Sequence, residues 1–377
     1  MRLAGHAYPW DVIGDPGFGD RVRDHGLEWV TLAAAYHSTR AATPLHPGHQ
    51  LVDAHSAALY RPVRSSIWKG RRLAPIPASW LPEPDPFGQS ARLLRRAGLR
   101  VTAWIVLTHN TRLGREVPDV SVVNCFGERY AYALCPAQEE VRDYAATLAA
   151  EALHDAPVDG VSLEACGQLG LTHLSHHEKT DDAWTAEAQR ALSVCCCVAC
   201  RSAWRSHGLD PLAVVAALRS AVRTGSAFPG AIAAQLLAVR HAAADSLRAA
   251  VLQRVREQAP DAEVTLHAQP DPWATGASPG LTPTAAADVD AVLVPAWPVA
   301  DSSLDAVARM SALVGPPGSV DAYLTVLPPA GADAVVAHGQ RLVAAGAQRL
   351  SLYHLGLAAA WRQPLFTQLV AALSGGA

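Results

Sequence analysis

The chain has 377 residues, 50% hydrophobic and 17% charged, which is enough apolar material for a large buried core. A formal net charge of −3 and a pI near 6.6 exclude the strongly basic character expected of a nucleic-acid or anionic-membrane binder. Seven cysteines, three of them consecutive, do not make a secreted disulfide framework, and no run of about 18 uncharged apolar residues suggests a membrane span.

The N-terminal MRLAGHAYPWDV lacks a basic region followed by an apolar run, so no signal peptide is read and a cytoplasmic protein is expected. Residues 3–12 predict a first strand, ending in His6, Tyr8, Trp10 and Asp11. Gly14-Asp15-Pro16 opens a short helix that stops near His25-Gly26. Residues 27–37, LEWVTLAAAYH, predict a second strand delivering His37. Residues 40–84 are rich in Pro, Arg and His without a sustained period and read as a long loop. Residues 87–97 form an amphipathic helix closed by Gly98, and 99–107 an apolar third strand that delivers His109 and Asn110. A loop with Cys125 and Cys135 leads to a helix over 139–153, with acids at its start.

Pro157-Val158-Asp159-Gly160 then punctuates the chain, and Val161, Leu163 and Ala165 alternate with Ser162 and Glu164 at the period of a strand. A carboxylate closing a short apolar strand is costly to bury unless it is ion-paired or used in chemistry. The stretch 168–260 breaks the rhythm with THLSHHEKTDD, a cysteine cluster and Ala-rich helices, the last over 232–258. Further strands follow at 262–267, 291–297, 320–326 and 349–355, with helices at 304–314, 332–345 and 361–373. Eight strand candidates interleaved with helices predict a (β/α)8 TIM barrel over 1–377, with a helical, Cys-containing insertion at 168–260 after strand 4.

In such a barrel the C-terminal strand ends share one face. They would deliver His6, Tyr8, Asp11, His37, His109, Asn110, Glu164, His267, Asp271, Trp297 and His354. Five of the eight ends offer a histidine. Each alone is an ordinary structural residue; together they make a titratable mouth the leading candidate site. His177 and Glu178 in the insertion are candidates for a loop folded over that mouth, or equally a solvated loop.

Cys195-x-Cys197-x-x-Cys200 can bring three thiolates onto one ion, and a fourth would complete a closed structural zinc site. Cys135 is the preferred fourth ligand, with Cys125 and Cys166 behind it, and Cys196 should point away. The alternative is a metal-free cluster of small apolar side chains.

The motifs AYPWD, LAAAYH, AWIVLTHNTRLG, LCP, LEACG, HHEK and CxCxxCR resemble glycoside-hydrolase-like barrels of bacteria, and the cysteine pattern is similar to the zinc site of family 42 β-galactosidases. The resemblance covers roughly the first 200 residues. It implies a TIM barrel acting on a glycoside or related polyol, with Glu164 as the strand-4 catalytic carboxylate. A second carboxyl would be Asp271, Glu178 or Asp11, in that order, with His177 and His267 tuning protonation or binding hydroxyls. The chain departs from the family pattern in having Leu163 before the strand-4 acid and Thr325-Val326-Leu327-Pro328 at the end of strand 7.

Three functions follow. One is a glycosidase-like hydrolase of a small carbohydrate. Another is a metal-dependent lyase or isomerase in which Glu164 and His6, His37, His267 or His354 hold a second divalent ion. The last is a non-catalytic sugar-binding barrel.

Overall fold

The computed structural model describes residues 1–172, 179–180 and 183–374. The expectations placed on His177 and Glu178 lie outside the described residues. Eight parallel strands close a (β/α)8 barrel: β1 Arg2–Ala7, β2 Trp29–Tyr36, β3 Arg100–Val106, β4 Gly160–Glu164, β5 Glu263–His267, β6 Ala291–Pro295, β7 Ser319–Thr325 and β8 Arg349–Tyr353. Each pairs with the next, and β8 returns to β1 with Arg2 opposite Arg349 and Gly5 opposite Leu352. Strands buried on both faces carry nearly continuous apolar runs, and all eight residues of β2 are buried.

The expected strands are all present, with shorter ends. The first expected strand stops at Ala7 because Pro9, which fits the first turn of a helix, starts the short helix Pro9–Val12. β4 ends at Glu164 because Ala165 adopts a left-handed φ of 54°, turning the chain out of the sheet. The long loop expected over 40–84 instead contains the hairpin Thr39–Ala42/Leu51–Ala54 and the strand Ala58–Leu59, which runs antiparallel to the end of β2. A second hairpin, Ser121–Val123/Arg129–Leu134, follows β3.

After β4 come the helices Ala186–Leu192, Val198–Ser206, Pro211–Thr224 and Gly230–Gln258. The last packs along Glu139–Leu153, so the insertion is tied to the barrel wall. Among the described residues no helix is long and apolar enough to cross a membrane.

At the N-terminal end of the barrel, Arg2 and Arg349 both pair with Glu263, the latter at 3.0 Å. Just inside, Asp321 accepts from Ser351 at 2.9 Å.

The C-terminal end is shaped by close backbone contacts. Gly114, in the helix Thr111–Glu116, lies so near the second hairpin that a Cβ there would sit 1.9 Å from the Ala131 carbonyl oxygen. A backbone atom cannot move aside as a flexible side chain can. Gly114→Ala should therefore destabilise the chain by about 1–3 kcal/mol, the range typical of overpacking. Thermal denaturation would show it, and an unchanged Tm would mean the contact is slack.

Candidate active site

Glu164 is the last residue of β4 and is buried. Its Oε2 accepts a hydrogen bond of 2.7 Å from the indole N–H of Trp104 on β3. His267, the last residue of β5, places Nδ1 3.8 Å from the same oxygen, and its Nε2 lies 2.8 Å from the Ser162 hydroxyl on β4. Burial raises Glu164 to about 7, and the Trp104 bond opposes the shift. Burial lowers His267 to about 3, so its ring is neutral. A carboxyl that changes charge near neutrality beside a neutral imidazole can give or take a proton.

Aromatic rings wall this pair. Tyr36 meets Trp104 with centroids 4.6 Å apart, and Tyr8 hydrogen-bonds Tyr36 through their hydroxyls at 3.3 Å. Tyr323 on β7 and Tyr353 on β8 stand edge to face at 5.7 Å. Trp297, 38% exposed, stacks on Tyr353 at 4.7 Å and forms one side of the rim. His37 stacks on Tyr36 at 4.2 Å and approaches His109 at 4.5 Å on the other side. Of these rings Trp297 is the most exposed, while Tyr8, Tyr36 and Tyr323 are buried.

Other expected residues lie elsewhere. His6 is fully buried beneath Trp104 and Tyr323, and burial holds it well below its ordinary value. His354 stacks on Tyr8 at 4.3 Å and sits 3.8 Å from Asp11. Asp11 lies behind this wall. Its Oδ2 accepts from the Tyr8 backbone, and it borders a cavity of about 20 Å³, room for one water. Asn110 caps the helix Thr111–Glu116, accepting from Leu113 at 3.0 Å, and its amide reaches the Tyr144 hydroxyl. That use of the side chain is structural.

Asp271 is half-exposed on the loop after β5. It caps Trp273 and pairs with Arg190 at 3.5 Å. That loop is bonded to the residue after Glu164, Ala165 N–H to Ala277 O at 2.8 Å.

The expected second metal site is not assembled. Among the described residues, only the four cysteines bring three or more His, Cys, Asp or Glu ligand atoms within 4.8 Å of one another. The reason is geometric: His6 packs edge-on against Trp104, His37 stacks on Tyr36, and His354 is held beside Asp11. Tyr36, Tyr323, Tyr353, Ser162 and the role of Trp104 were missed in the sequence. The period-two alternation of their strands was the available signal, but it does not say which buried face is the barrel interior.

The Sγ atoms of Cys135, Cys195, Cys197 and Cys200 all lie within 4.8 Å of one another, Cys135 at 3.5 Å from Cys200 and 3.8 Å from Cys197. Sulfurs around a tetrahedral ion at 2.3 Å would be about 3.8 Å apart, so the set fits a metal ion. Cys197 caps the helix Val198–Ser206, and hydrogen bonds from Cys135, Cys195 and Cys200 hold its thiol below the ordinary range. Cys196 turns its thiol to the Val194 carbonyl, away from the cluster.

The (β/α)8 fold is similar to that of solved glycoside hydrolases. No protein-family model and no curated protein matches the sequence. Among solved structures, the glycoside hydrolase domain of PgaB (BpsB) from Bordetella bronchiseptica is similar with a TM-score of 0.59 and 18% identity, over 94% of each chain. The α-L-fucosidase isoenzyme 2 from Paenibacillus thiaminolyticus gives 0.59 at 12% identity, over 99% of this chain and 49% of that one. A GH42 β-galactosidase from G. stearothermophilus gives 0.59 at 11% identity, over 100% of this chain and 57% of that one. The chain thus spans about half the length of the last two, and at these identities the likeness is one of fold.

Stability should depend on pH through the buried groups. Burial raises Asp11 to about 8, with the Tyr8 backbone bond opposing it, and Glu164 to about 7. A carboxyl raised in the folded state loses stability as pH climbs from its ordinary value to the raised one. The lowered imidazoles of His6, His267 and His354 act oppositely, losing stability as pH falls below about 6.5. The trends oppose at mildly acid pH; above 6.5 only the carboxyl trend remains. Asp11→Asn should therefore gain stability relative to the parent between pH 6.5 and 9, read as urea midpoints. A difference that stays flat over that range would contradict the assignment.

Proposed function

We propose that the chain is a glycosidase-like hydrolase of a small carbohydrate, with Glu164 as the group that carries the proton. The observation behind this reading is the Glu164 carboxyl itself: at a barrel strand end, buried among rings, hydrogen-bonded by Trp104 and raised to about 7. Protonated, it would donate to the oxygen of the breaking glycosidic bond, while a second carboxyl stabilises the sugar cation or activates water. Asp271 is the preferred second group, since its loop is bonded to the end of β4; Glu178 and Asp11 rank behind it. Trp297, Tyr353 and His37 would bind the sugar faces, and His267 would tune Glu164.

The four-cysteine set would hold a structural zinc ion, leaving no coordination position for substrate. The seven free cysteines support a cytoplasmic location, and the net charge of −3 supports a small-molecule substrate over nucleic acid or membrane. A non-catalytic sugar-binding barrel is the second reading. It is favoured by the end of β7, where Thr325 uses its hydroxyl on the Tyr353 carbonyl and supplies no carboxyl.

A panel of p-nitrophenyl glycosides, including β-galactosides and α-fucosides, would be assayed with the parent and Glu164→Gln. Turnover should fall by about 10²–10⁴-fold in the variant, the usual contribution of a general acid. In the parent, kcat/KM should fall as pH rises through about 7. Near-parental turnover in Glu164→Gln would end the assignment, and saturable sugar binding without product in the parent would favour the binding reading. Separately, metal analysis should find about one zinc per chain, lost in Cys200→Ser; a parent purified without metal would refute the zinc reading.

A further inference from the structure

Arg240, on the long helix Gly230–Gln258, is a buried cation with no carboxylate in hydrogen-bond contact among the described residues. One guanidinium nitrogen donates to the Ser193 carbonyl and another to the Trp273 carbonyl, each at 3.4 Å. Its Nε has no partner. The ring of Trp273 lies 5.2 Å from the guanidinium carbon, with Arg190 near the same ring at 5.7 Å. Burial pulls Arg240 down to about 10, while the charges of Cys200, Cys195 and Cys135 oppose that fall. The Ser193 carbonyl it holds lies two residues before Cys195, and the helix carrying Arg240 packs against Val198–Ser206, which carries Cys200.

A divalent ion held by four thiolates carries a net charge of −2, and burying such a centre demands a nearby positive charge. Arg240 supplies one. The same guanidinium grips the loop after β5, through the Trp273 carbonyl and ring. That loop is bonded to the chain leaving β4: Gly276 N–H to the Gln168 carbonyl at 3.2 Å, and Ala277 O to the Ala165 N–H. The Gln168 side chain returns to the Arg240 carbonyl at 3.0 Å. A set of polar contacts thus runs from Ser193, two residues before Cys195, through Arg240 to the strand end carrying Glu164.

We propose that Arg240 is the counter-cation of the four-cysteine centre and a positioning residue, through which metal occupancy fixes the loop bearing Asp271 and Trp273 beside Glu164. This rests on the zinc reading above. An arginine suits both tasks, since its planar fork keeps its charge while reaching two carbonyls at once.

The test compares the full chain, zinc-loaded and chelator-stripped, with Arg240→Met, Arg240→Lys and Arg190→Met. The readouts are the rate of zinc release to a chelator and amide exchange of peptides covering 269–281. Stripping the parent should speed exchange of these peptides at least tenfold. Loaded Arg240→Met should release zinc at least tenfold faster and exchange as the stripped parent does. Arg240→Lys, which keeps the charge but not the fork, should recover zinc retention more than loop protection, and it carries the test should the Met variant fail to fold. Arg190→Met, which removes the Asp271 partner, should leave zinc release unchanged. Parental zinc release in both Arg240 variants, or loop exchange indifferent to zinc, would overturn the inference with the zinc reading intact. A parent that binds no zinc would overturn both.

Discussion

The contact on which the upper half of the barrel depends is the hydrogen bond from the Trp104 indole to the Glu164 carboxyl. A carboxylate taken out of water must be compensated or neutralised. Here one neutral donor partly compensates, an imidazole kept uncharged by burial stands 3.8 Å away, and among the described residues no arginine or lysine pairs with Glu164. The result is a carboxyl poised between its two states near pH 7. Had an arginine stood in place of His267, the acid would be locked as an ion and useless as a proton donor.

The two ends of the barrel differ in how charge is matched. At the N-terminal end Glu263 is shared between Arg2 and Arg349, and all three side chains retain some contact with water. Toward the C-terminal end, buried Glu164 and Asp11 each face a neutral imidazole at 3.8 Å. Among the described residues unmatched buried polar atoms occur at both ends, the Tyr323 hydroxyl, His354 Nε2 and Asp11 Oδ1 at one and Asp321 Oδ1 at the other. Each such atom costs stability.

The sequence carried the barrel well and the site less so. Strands such as β2 and β3 are apolar runs bounded by Gly, and their order with intervening helices leaves little choice of fold. The cysteine spacing also sufficed, because C-x-C-x-x-C on a turn into a helix brings three thiols together locally, and only Cys135 had to be supplied from elsewhere. What was not legible was contact across strands. Nothing in the sequence singles out Trp104, because its partner is 60 residues away on the neighbouring strand. The histidines were visible, but their grouping was not: His37 and His109 lie at the rim, His6 and His267 deep inside, His354 behind Tyr8. The hairpin at 39–54 was hidden because its cross-strand register is set by tertiary contacts such as the His46 ring on the Ile13 carbonyl.

The position of the insertion gives the cysteine cluster its meaning. The cluster draws on Cys135, which follows β3, and on the cysteines between β4 and β5, so it ties together the segments flanking the strand that ends in Glu164. A metal cross-link there would restrain the loops on either side of β4. The loop after β5 also holds itself: Gln269 N–H donates to Pro279 O at 3.0 Å and Leu281 N–H to Gln269 O at 2.9 Å, while Ala277 O accepts from Ala165 N–H at 2.8 Å. The exposed pair between Asp271 and Arg190 adds little to that. What joins this loop to the chain leaving β4 is therefore mainly its backbone, and a cross-link at the cysteines would act on it from the far side through Ser193 and Arg240.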